Sequence, residues 1–252
     1  MTRKDEYYNR SKQEGYRSRS AYKLQQLDDA VDLLHDGATV VDLGAAPGGW
    51  LQVAAERVGE TGTVVGVDLQ RIDPLDGVET VKGDMTDEDT REEVTEMVGS
   101  ADVVLSDMAP NMTGEYNLDH ARSVHLARQA FETALDVLDS GGDFVVKVFQ
   151  GQDLEPFRDD VEEEFQYVRT MSPDASRQES SEVYLVARGR LTAPVREGDR
   201  LEVTIEDVGS EGDGVAKVED YTLFVPGTEM GETVEIRVDE VKPRFGFGER
   251  LD

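Results

Sequence analysis

Short apolar runs alternate with amphipathic segments between residues 38 and 187, and this alternation predicts a sheet covered by helices. The runs are rich in β-branched residues and bounded by Gly, Asp or Ser, which is typical of buried strands. They span residues 38–43, 62–69, 78–83, 101–107, 142–149, 165–170 and 181–187. Helical spacing covers residues 49–59, 86–99, 118–142 and 153–164. The third helix is expected to end on Gly141 as its C-cap. Strands that alternate with helices indicate an α/β fold with a mostly parallel sheet and helices on both faces.

The pattern changes after Gly189. From there the chain has alternating apolar residues, frequent glycines and no helical run. Such a segment, roughly 60 residues long, predicts a small antiparallel all-β barrel. We therefore expect one domain over residues 1–189 and a second over residues 190–252, with residues 190–199 as the linker.

Bulk composition excludes several classes of protein. The chain has 252 residues and no cysteine, which rules out disulfides and thiolate metal sites and fits a reducing cytoplasm. No apolar run approaches the roughly 20 residues of a membrane span. The N-terminal segment is too polar for a secretory signal. We expect a soluble cytoplasmic protein, without contact to a membrane.

The charge is strongly acidic and unevenly distributed. The formal net charge is −29, yet residues 1–23 hold seven basic residues against three acidic ones. A lysine-poor, acid-rich folded chain predicts adaptation to a salty cytoplasm, where screening weakens self-repulsion. An ordinary acidic protein is the alternative, and stability measured without salt separates the two. The basic N-terminal segment favours either contact with a polyanion or a solvated helix face.

A glycine-rich turn follows the first predicted strand. In "VVDLGAAPGGW", residues 40–50, Gly44, Gly48 and Gly49 allow the backbone to approach a ligand closely. A structural turn is the alternative. The turn differs from the G-x-G-x-x-G fingerprint and contains Pro47, which argues against a nicotinamide oxidoreductase.

Three aspartates end the next three predicted strands, namely Asp68, Asp84 and Asp107. Each alone could be a helix N-cap or a turn residue. Ligands of parallel α/β sheets bind at the carboxyl ends of the strands, so three consecutive acids there favour a nucleoside cleft. Asp68 is suited to the ribose hydroxyls and Asp84 to an adenine amino group, and Asp107 lies beside the reacting centre.

Four segments carry a family resemblance. They are "VVDLGAAPGGW", "SDMAPN", "GGDFVVKVFQG" and "SSEVYLVA". Together they resemble the FtsJ family, also called RrmJ or RlmE, whose members are S-adenosylmethionine-dependent ribose 2′-O-methyltransferases acting on 23S ribosomal RNA. The resemblance runs from about residue 10 to 189. It implies a Rossmann-like methyltransferase sheet of seven strands with the last one antiparallel. It also implies that the cofactor is held by Gly48, Trp50, Asp68, Asp84 and Asp107. Trp50, the only tryptophan, is alternatively a core anchor.

A lysine in a buried strand is the next unusual feature. Lys147 interrupts "FVVKVF", where an unpaired ionised lysine costs several kcal/mol. Its tip either reaches solvent along the strand or lies over the cleft. The family has a Lys–Asp–Lys–Glu constellation, and it maps without substitution onto Lys23, Asp107, Lys147 and Glu182.

The chemistry implied by this resemblance explains the residue types. A ribose hydroxyl is a poor nucleophile, so the enzyme must align it with the sulfonium methyl group and accept its proton. A lysine accepts a proton only when neutral, and burial together with a neighbouring cation favours that form. Our hypothesis makes Lys147 the base, assisted by Lys23. Asp107 would orient Lys147, and Glu182 would orient Lys23 or the ribose, although sequence alone does not assign the pairs.

RNA contacts are expected in two places. In the basic segment, Arg17, Arg19 and Lys23 match the family segment that leads to its first catalytic lysine, and arginine suits bidentate phosphate contact. In the second domain, "EGDGVAKVEDYTLFVPGTEMGETVEIRVDEV" resembles a TRAM domain, an RNA-binding module. Residues 188–252 hold nine basic and sixteen acidic residues, which puts simple phosphate attraction in doubt. The candidate contacts there are Lys217, Lys242, Arg244, Phe224, Phe245 and Phe247.

The leading hypothesis is therefore 2′-O-methylation of a ribose, expected to be a uridine, in 23S large-subunit ribosomal RNA by a monomeric enzyme that uses S-adenosylmethionine. A tRNA ribose 2′-O-methyltransferase and a ribosome-assembly RNA-binding factor are the alternatives. The three histidines, His35, His120 and His125, have no metal-ligand spacing. We expect them to be structural and expect no metal.

Overall fold

The structure is a computed structural model that describes residues 3–85, 87–176, 180–209 and 212–251. Thr86, the first residue of one predicted helical segment, lies outside this range. The helices are α1 (Arg3–Glu14), α2 (Ala21–Val31), α3 (Gly49–Val58), α4 (Glu88–Val98), α5 (Tyr116–Val137) and α6 (Leu154–Glu162). The strands of the first sheet are β1 (Thr39–Leu43), β2 (Thr63–Asp68), β3 (Glu79–Lys82), β4 (Ala101–Ser106), β5 (Leu138–Phe149), β6 (Phe165–Met171) and β7 (Glu182–Arg190). Those of the second are β8 (Arg200–Thr204), β9 (Asp207–Val208), β10 (Gly214–Val218), β11 (Tyr221–Val225), β12 (Thr233–Val241) and β13 (Phe245–Arg250).

The first sheet has seven strands in the order β3-β2-β1-β4-β5-β7-β6. In the part β3-β2-β1-β4-β5 of this order, all neighbouring strands are parallel. β7 lies between β5 and β6 and is antiparallel to both. The expected seven-stranded, mostly parallel sheet with a final antiparallel strand is therefore confirmed.

Helices cover both faces of this sheet, which is why its central strands are apolar on both sides. On one face Phe131 of α5 packs against Phe144 of β5 and against Phe157 of α6. On the other face the core includes Leu24 of α2 and Leu51 of α3, both fully buried. No helix among the described residues is long and apolar enough to cross a membrane.

The boundary between α5 and β5 differs from the prediction. The helix ends at Val137, and Leu138 already has extended backbone angles, φ −74° and ψ 132°. Leu138 is buried and pairs with Ala101 of β4, so the chain is already part of the sheet before it reaches Gly141. The predicted C-cap at Gly141 is wrong. Gly141, with φ +87°, lies within the strand, near the register shift after Ala101.

The second sheet has six strands in the order β8-β12-β13-β11-β10-β9. Its buried residues include Leu223, Ile236 and Val238, which form a core of their own. The expectation of a separate small β domain is confirmed, but β11 and β13 pair in parallel. The all-antiparallel prediction is wrong for this pair, because β13 inserts between β11 and β12. The domain boundary after residue 189 stays a prediction, since β7 continues to Arg190.

Candidate active site

A cavity of about 730 Å³ opens at the carboxyl ends of the first four strands. Its lining includes Asp68, Asp84 and Asp107, which follow or end β2, β3 and β4. The strand order reverses direction beside β1, and such a switch point leaves a crevice between the helices of the two faces. The structure thus brings the three predicted acids together in one cleft.

The glycine-rich turn forms one wall of this cleft. Gly44 lines the cavity with φ +77°, and a Cβ atom there would lie 2.3 Å from Met108 Cγ. Only glycine fits this approach. Asp68 holds the turn, because its carboxylate accepts hydrogen bonds from the amide of Ala46 at 2.9 Å and of Gln70 at 2.7 Å. Asp68, which also lines the cavity, therefore fixes the backbone of the glycine-rich turn by these hydrogen bonds.

Gly48 and Trp50 are not among the residues that line the cavity. Trp50 is 2% exposed, and its indole N–H donates to the Ser20 carbonyl at 2.8 Å. Its ring lies 5.9 Å from that of Tyr184. These contacts make Trp50 an anchor between α2, α3 and β7. The roles of Gly48 and Trp50 in cofactor binding stay predictions.

The four predicted tetrad residues come together beside the cleft. Lys147 is 6% exposed, and its Nζ donates to the Asp107 carboxylate at 2.9 Å and also to the Asp107 carbonyl oxygen. Lys23 lies on α2, and its Nζ is 2.8 Å from Glu182 Oε1 and 3.7 Å from Asp107 Oδ1. The geometry answers the question that the sequence left open. Asp107 pairs chiefly with Lys147, and Glu182 pairs with Lys23.

Tyr184 is a member of this cluster that the sequence reasoning missed. Its hydroxyl donates to Asp107 Oδ1 at 2.6 Å and accepts from Lys23 Nζ at 3.0 Å. In the sheet register Tyr184 lies opposite Lys147. A signal was present, because Tyr184 follows Glu182 by two positions and side chains two apart in a strand share a face.

Asp107 and Tyr184, which share a hydrogen bond, have pKa values that are shifted in opposite directions. Burial alone raises the pKa of Asp107, but the ammonium groups of Lys147 and Lys23 and the Tyr184 hydroxyl outweigh it, and the pKa is lowered. Asp107 is therefore a carboxylate. For Tyr184, burial first and then the charges of Asp107 and Glu182 raise the pKa well above its usual range. Tyr184 thus keeps its proton and acts as a donor.

Asp42 is a further buried acid near the cleft. It lies on β1, is 1% exposed, and its Oδ2 has no hydrogen-bond partner among the described residues. Burial, followed by the negative charges of Asp107 and Asp68, raises the pKa of Asp42 well above its usual range. A carboxyl in this setting favours its neutral form.

The two arginines predicted to contact RNA bind the protein's own loops. Arg17 donates to the carbonyl oxygens of Pro47 at 3.2 Å, Asp73 at 2.6 Å and Pro74 at 2.7 Å. Arg19 donates to the Ala175 carbonyl at 2.5 Å. Arg17 thereby joins the segment before α2 to the glycine-rich turn. Contact of these arginines with RNA stays a prediction.

The histidines differ in their surroundings. His120 is buried, donates from Nδ1 to the Phe149 carbonyl at 3.1 Å and accepts the Asp153 amide on Nε2 at 3.1 Å. It therefore fixes the end of β5. His125 lines the cavity, and His35 is exposed. Among the described residues, no group of three or more His, Cys, Asp or Glu side chains is placed to hold a metal ion.

The sheet order and the acid-lined crevice define a methyltransferase fold. Residues 16–190 match the family described as FtsJ-like methyltransferase, and residues 194–251 match the TRAM domain. The chain belongs to the FtsJ-like methyltransferase family, as the sequence motifs predict.

Relatives agree with this membership. The chain is 71% identical over 252 residues to "Ribosomal RNA large subunit methyltransferase E" of Natronomonas pharaonis, and the match covers 100% of both chains. It is 65% identical over 263 residues to the protein of the same name from Haloarcula marismortui, again over 100% of both. It also resembles the crystal structure of a provisionally assigned ribosomal RNA methyltransferase from Plasmodium falciparum. That likeness has a TM-score of 0.63 and 27% identity, and covers 69% of this chain and 98% of that one.

Proposed function

We propose that this protein methylates a ribose 2′-hydroxyl, expected to be that of a uridine, in large-subunit ribosomal RNA with S-adenosylmethionine as the methyl donor. One observation carries the proposal. A buried lysine, Lys147, is held by the carboxylate of Asp107 at 2.9 Å on the edge of a nucleoside-sized cleft. The names of the relatives favour large-subunit ribosomal RNA over tRNA as the substrate.

The residues of the cleft fit this cofactor. Asp68, Asp84 and Asp107 supply negative charge and hydrogen-bond acceptors for a cationic nucleoside, and Gly44 provides backbone that a side chain would block. Asp68 would hold the ribose hydroxyls and Asp84 the adenine amino group. When bound, the cofactor supplies a methyl group already activated by a positively charged sulfur.

The protein's own task is then to place the ribose oxygen and to take its proton. Lys147, which pairs with Asp107 as an ammonium group at 2.9 Å, first releases one proton to solvent. Its neutral Nζ then accepts the proton of the ribose hydroxyl, and Asp107 stabilises the ammonium group formed again. Lys23 Nζ lies 3.7 Å from the same carboxylate oxygen, Asp107 Oδ1, and so competes with Lys147 for it. Its positive charge also steadies the negative charge that develops on the ribose oxygen. Glu182 keeps Lys23 in position.

Orientation supplies much of the expected rate enhancement. Fixed geometry between two reactants is worth about 7–11 kcal/mol in favourable cases. Here Asp107 directly follows β4, Lys147 lies on the adjacent β5 and Tyr184 on β7 next to it, and Asp107 accepts hydrogen bonds from both. Such a network needs little reorganisation when the substrate binds.

The nucleoside product tests the proposal. The enzyme is incubated with methyl-labelled S-adenosylmethionine and, separately, with large-subunit RNA, assembled large subunits and tRNA. Digestion to nucleosides and mass spectrometry should then show label in 2′-O-methyluridine from the large-subunit substrates alone. Label in a methylated base, or in tRNA only, would contradict the proposal.

A further inference from the structure

The β4–α5 loop, residues 107–115, is tied to β5 at both of its ends. At its start, the Asp107 carboxylate accepts the hydrogen bond of Lys147 at 2.9 Å. At its end, the hydroxyl of Tyr116, the first residue of α5, donates to the Gln150 carbonyl at 2.7 Å. Lys147 and Gln150 are three positions apart, roughly 10 Å at the rise of an extended strand. The loop therefore borders the place beside Lys147 where an acceptor ribose has to lie.

Hydrogen bonds hold the β4–α5 loop in one shape. Asp119 lies in the first turn of α5 and is buried. Its carboxylate accepts the amide and the hydroxyl of Thr113, each at 2.8 Å, and the amide of Gly114 at 3.0 Å. Gly114 has φ +85°, a left-handed conformation that glycine adopts at little cost. The loop is therefore ordered before any substrate arrives, and binding does not have to order it.

Large apolar side chains on this loop and on the start of α5 are exposed. Met112 is 63% exposed, Tyr116 60% and Leu118 39%. None of the three belongs to a hydrophobic core of the molecule. Such side chains close together beside a cleft indicate a docking surface.

Tyr116 is exposed and yet fixed in position. The hydroxyl of an exposed tyrosine ordinarily points into water, but here it is bound to the Gln150 carbonyl. The ring is thereby held while most of its surface stays accessible. A ring that is already fixed loses little conformational freedom when a flat group stacks on it. Unpaired RNA bases are such groups, and they stack on tyrosine side chains.

A positive charge lies between this surface and the cleft. Leu118, Arg122, His125 and Gln129 follow one another at helical spacing and share one face of α5. His125 and Gln129 line the cavity, and Arg122 lies one turn nearer the start of the helix. Arg122 is exposed and forms no ion pair within the part of the chain that the structure describes. In a chain of net charge −29, a guanidinium at this place suits a phosphate group.

We propose that the β4–α5 loop receives the base of the nucleotide that is methylated. The ring of Tyr116 stacks on that base, Met112 packs beside it, and Arg122 binds an adjoining phosphate. The inference rests on the proposed function in taking a ribose of RNA as the methyl acceptor. A paired base hides its faces inside a helix, so the target nucleotide has to be unpaired or turned out of its helix when it binds.

Removing the ring and the base in turn tests this contact. The substrate is a synthetic fragment of large-subunit RNA around the methylated nucleotide, made either with its normal base or with an abasic ribose that keeps the 2′-hydroxyl. Tyr116→Ala should transfer the methyl group about tenfold more slowly than wild type to the normal RNA, since one stacked base is worth a factor of this size. On the abasic RNA the variant and the wild type should be equal. Tyr167→Ala removes a tyrosine that is 52% exposed on β6 and should match wild type on both RNAs.

Cross-linking tests the same contact without turnover. Large-subunit RNA in which 5-iodouridine replaces uridine is irradiated with the protein, and the cross-linked peptide is identified by mass spectrometry. The cross-link should fall on Tyr116 or Met112. A cross-link there without any methyl transfer refutes the proposed function alone. In a parallel binding assay, Arg122→Gln should weaken RNA affinity at low salt and have little effect at high salt.

Three results would overturn the inference. An equal loss of rate in Tyr116→Ala on normal and abasic RNA would make the residue a structural support only. Cross-links confined to other parts of the chain would place the base elsewhere. A loss of rate with assembled subunits but not with isolated RNA would assign the exposed side chains to contact with a ribosomal protein.

Discussion

Replacing Tyr184 by phenylalanine isolates the hydroxyl that joins the two ends of the buried charge network. The ring remains and keeps its contact with Trp50 at 5.9 Å. The variant loses a hydrogen bond of 2.6 Å to Asp107 and one of 3.0 Å from Lys23. Asp107 keeps its contact with Lys147 and Lys23 keeps its contact with Glu182, and the 3.7 Å ion pair between Lys23 and Asp107 also remains.

The size of the effect follows from these contacts. A hydrogen bond to a charged group contributes about 1.5–3 kcal/mol, and the remaining partners keep the total loss within that range. For a chain of this size the midpoint of thermal unfolding should fall by about 3–12 °C. Methyl transfer should slow because Asp107 and Lys147 lose a fixed support. Cofactor affinity should stay close to that of the wild type, because Tyr184 itself does not line the cleft.

The pH dependence has a definite sign. The Tyr184 hydroxyl is one of the groups that lower the pKa of Asp107, so its removal raises that pKa. Because the folded-state pKa of Asp107 is lowered, its carboxylate stabilises the folded protein at pH values above its unfolded-state pKa, about 3.9. This stabilisation is lost as the pH falls through the folded-state pKa. The stability difference between variant and wild type should therefore be full at pH 7 and shrink below about pH 4.

Urea unfolding at several pH values measures this difference. Tyr167→Phe is the matched control, since Tyr167 is 52% exposed on β6 and should tolerate the change. Equal stability of Tyr184→Phe and wild type at pH 7 would refute the reasoning. A difference that stays constant into acid would show that the hydroxyl does not act through the charge of Asp107.

Three further substitutions test the surroundings of the site. Asp42→Asn removes a buried acid whose pKa is raised in the folded protein. Above the unfolded-state pKa of this group, each pH unit lowers the free energy of unfolding of the wild type by up to about 1.4 kcal/mol. The variant should be more stable at pH 7 and equal at pH 4 by urea unfolding; equality at both would contradict this. Glu182→Gln leaves Lys23 without its 2.8 Å ion pair, so single-turnover transfer should slow while calorimetric cofactor affinity holds. Arg17→Ala deletes three hydrogen bonds to loop carbonyls and should lower the thermal midpoint; weaker RNA binding at an unchanged midpoint would instead indicate a contact with RNA.

Much of the sheet could be predicted because its strands are buried on both faces. Runs such as Val64–Val65 in β2 and Val145–Val146 in β5 are apolar without alternation, as parallel strands require. The end of α5 could not be predicted in the same way. Leu138 continues the helical pattern, and only its pairing with Ala101 turns it into a strand residue.

The site was predictable where chemistry conflicts with burial. Lys147 stands out because an ammonium group rarely lies in an apolar strand without a partner, and the strand-end aspartates mark the cleft. Pairings across the fold were not predictable. Whether Lys23 meets Asp107 or Glu182 depends on how α2 lies against β7, which no local pattern encodes. Tyr184 was missed because a buried tyrosine resembles an ordinary core residue.

Single-turnover methyl transfer by Lys147→Ala tests the central claim most directly. The rate is followed with large-subunit RNA and labelled S-adenosylmethionine, and cofactor affinity is measured separately by calorimetry. Tyr167→Phe, at an exposed position of β6, serves as the control. The account predicts that Lys147→Ala binds the cofactor as tightly as wild type and transfers no measurable methyl group. Transfer at close to the wild-type rate would contradict it.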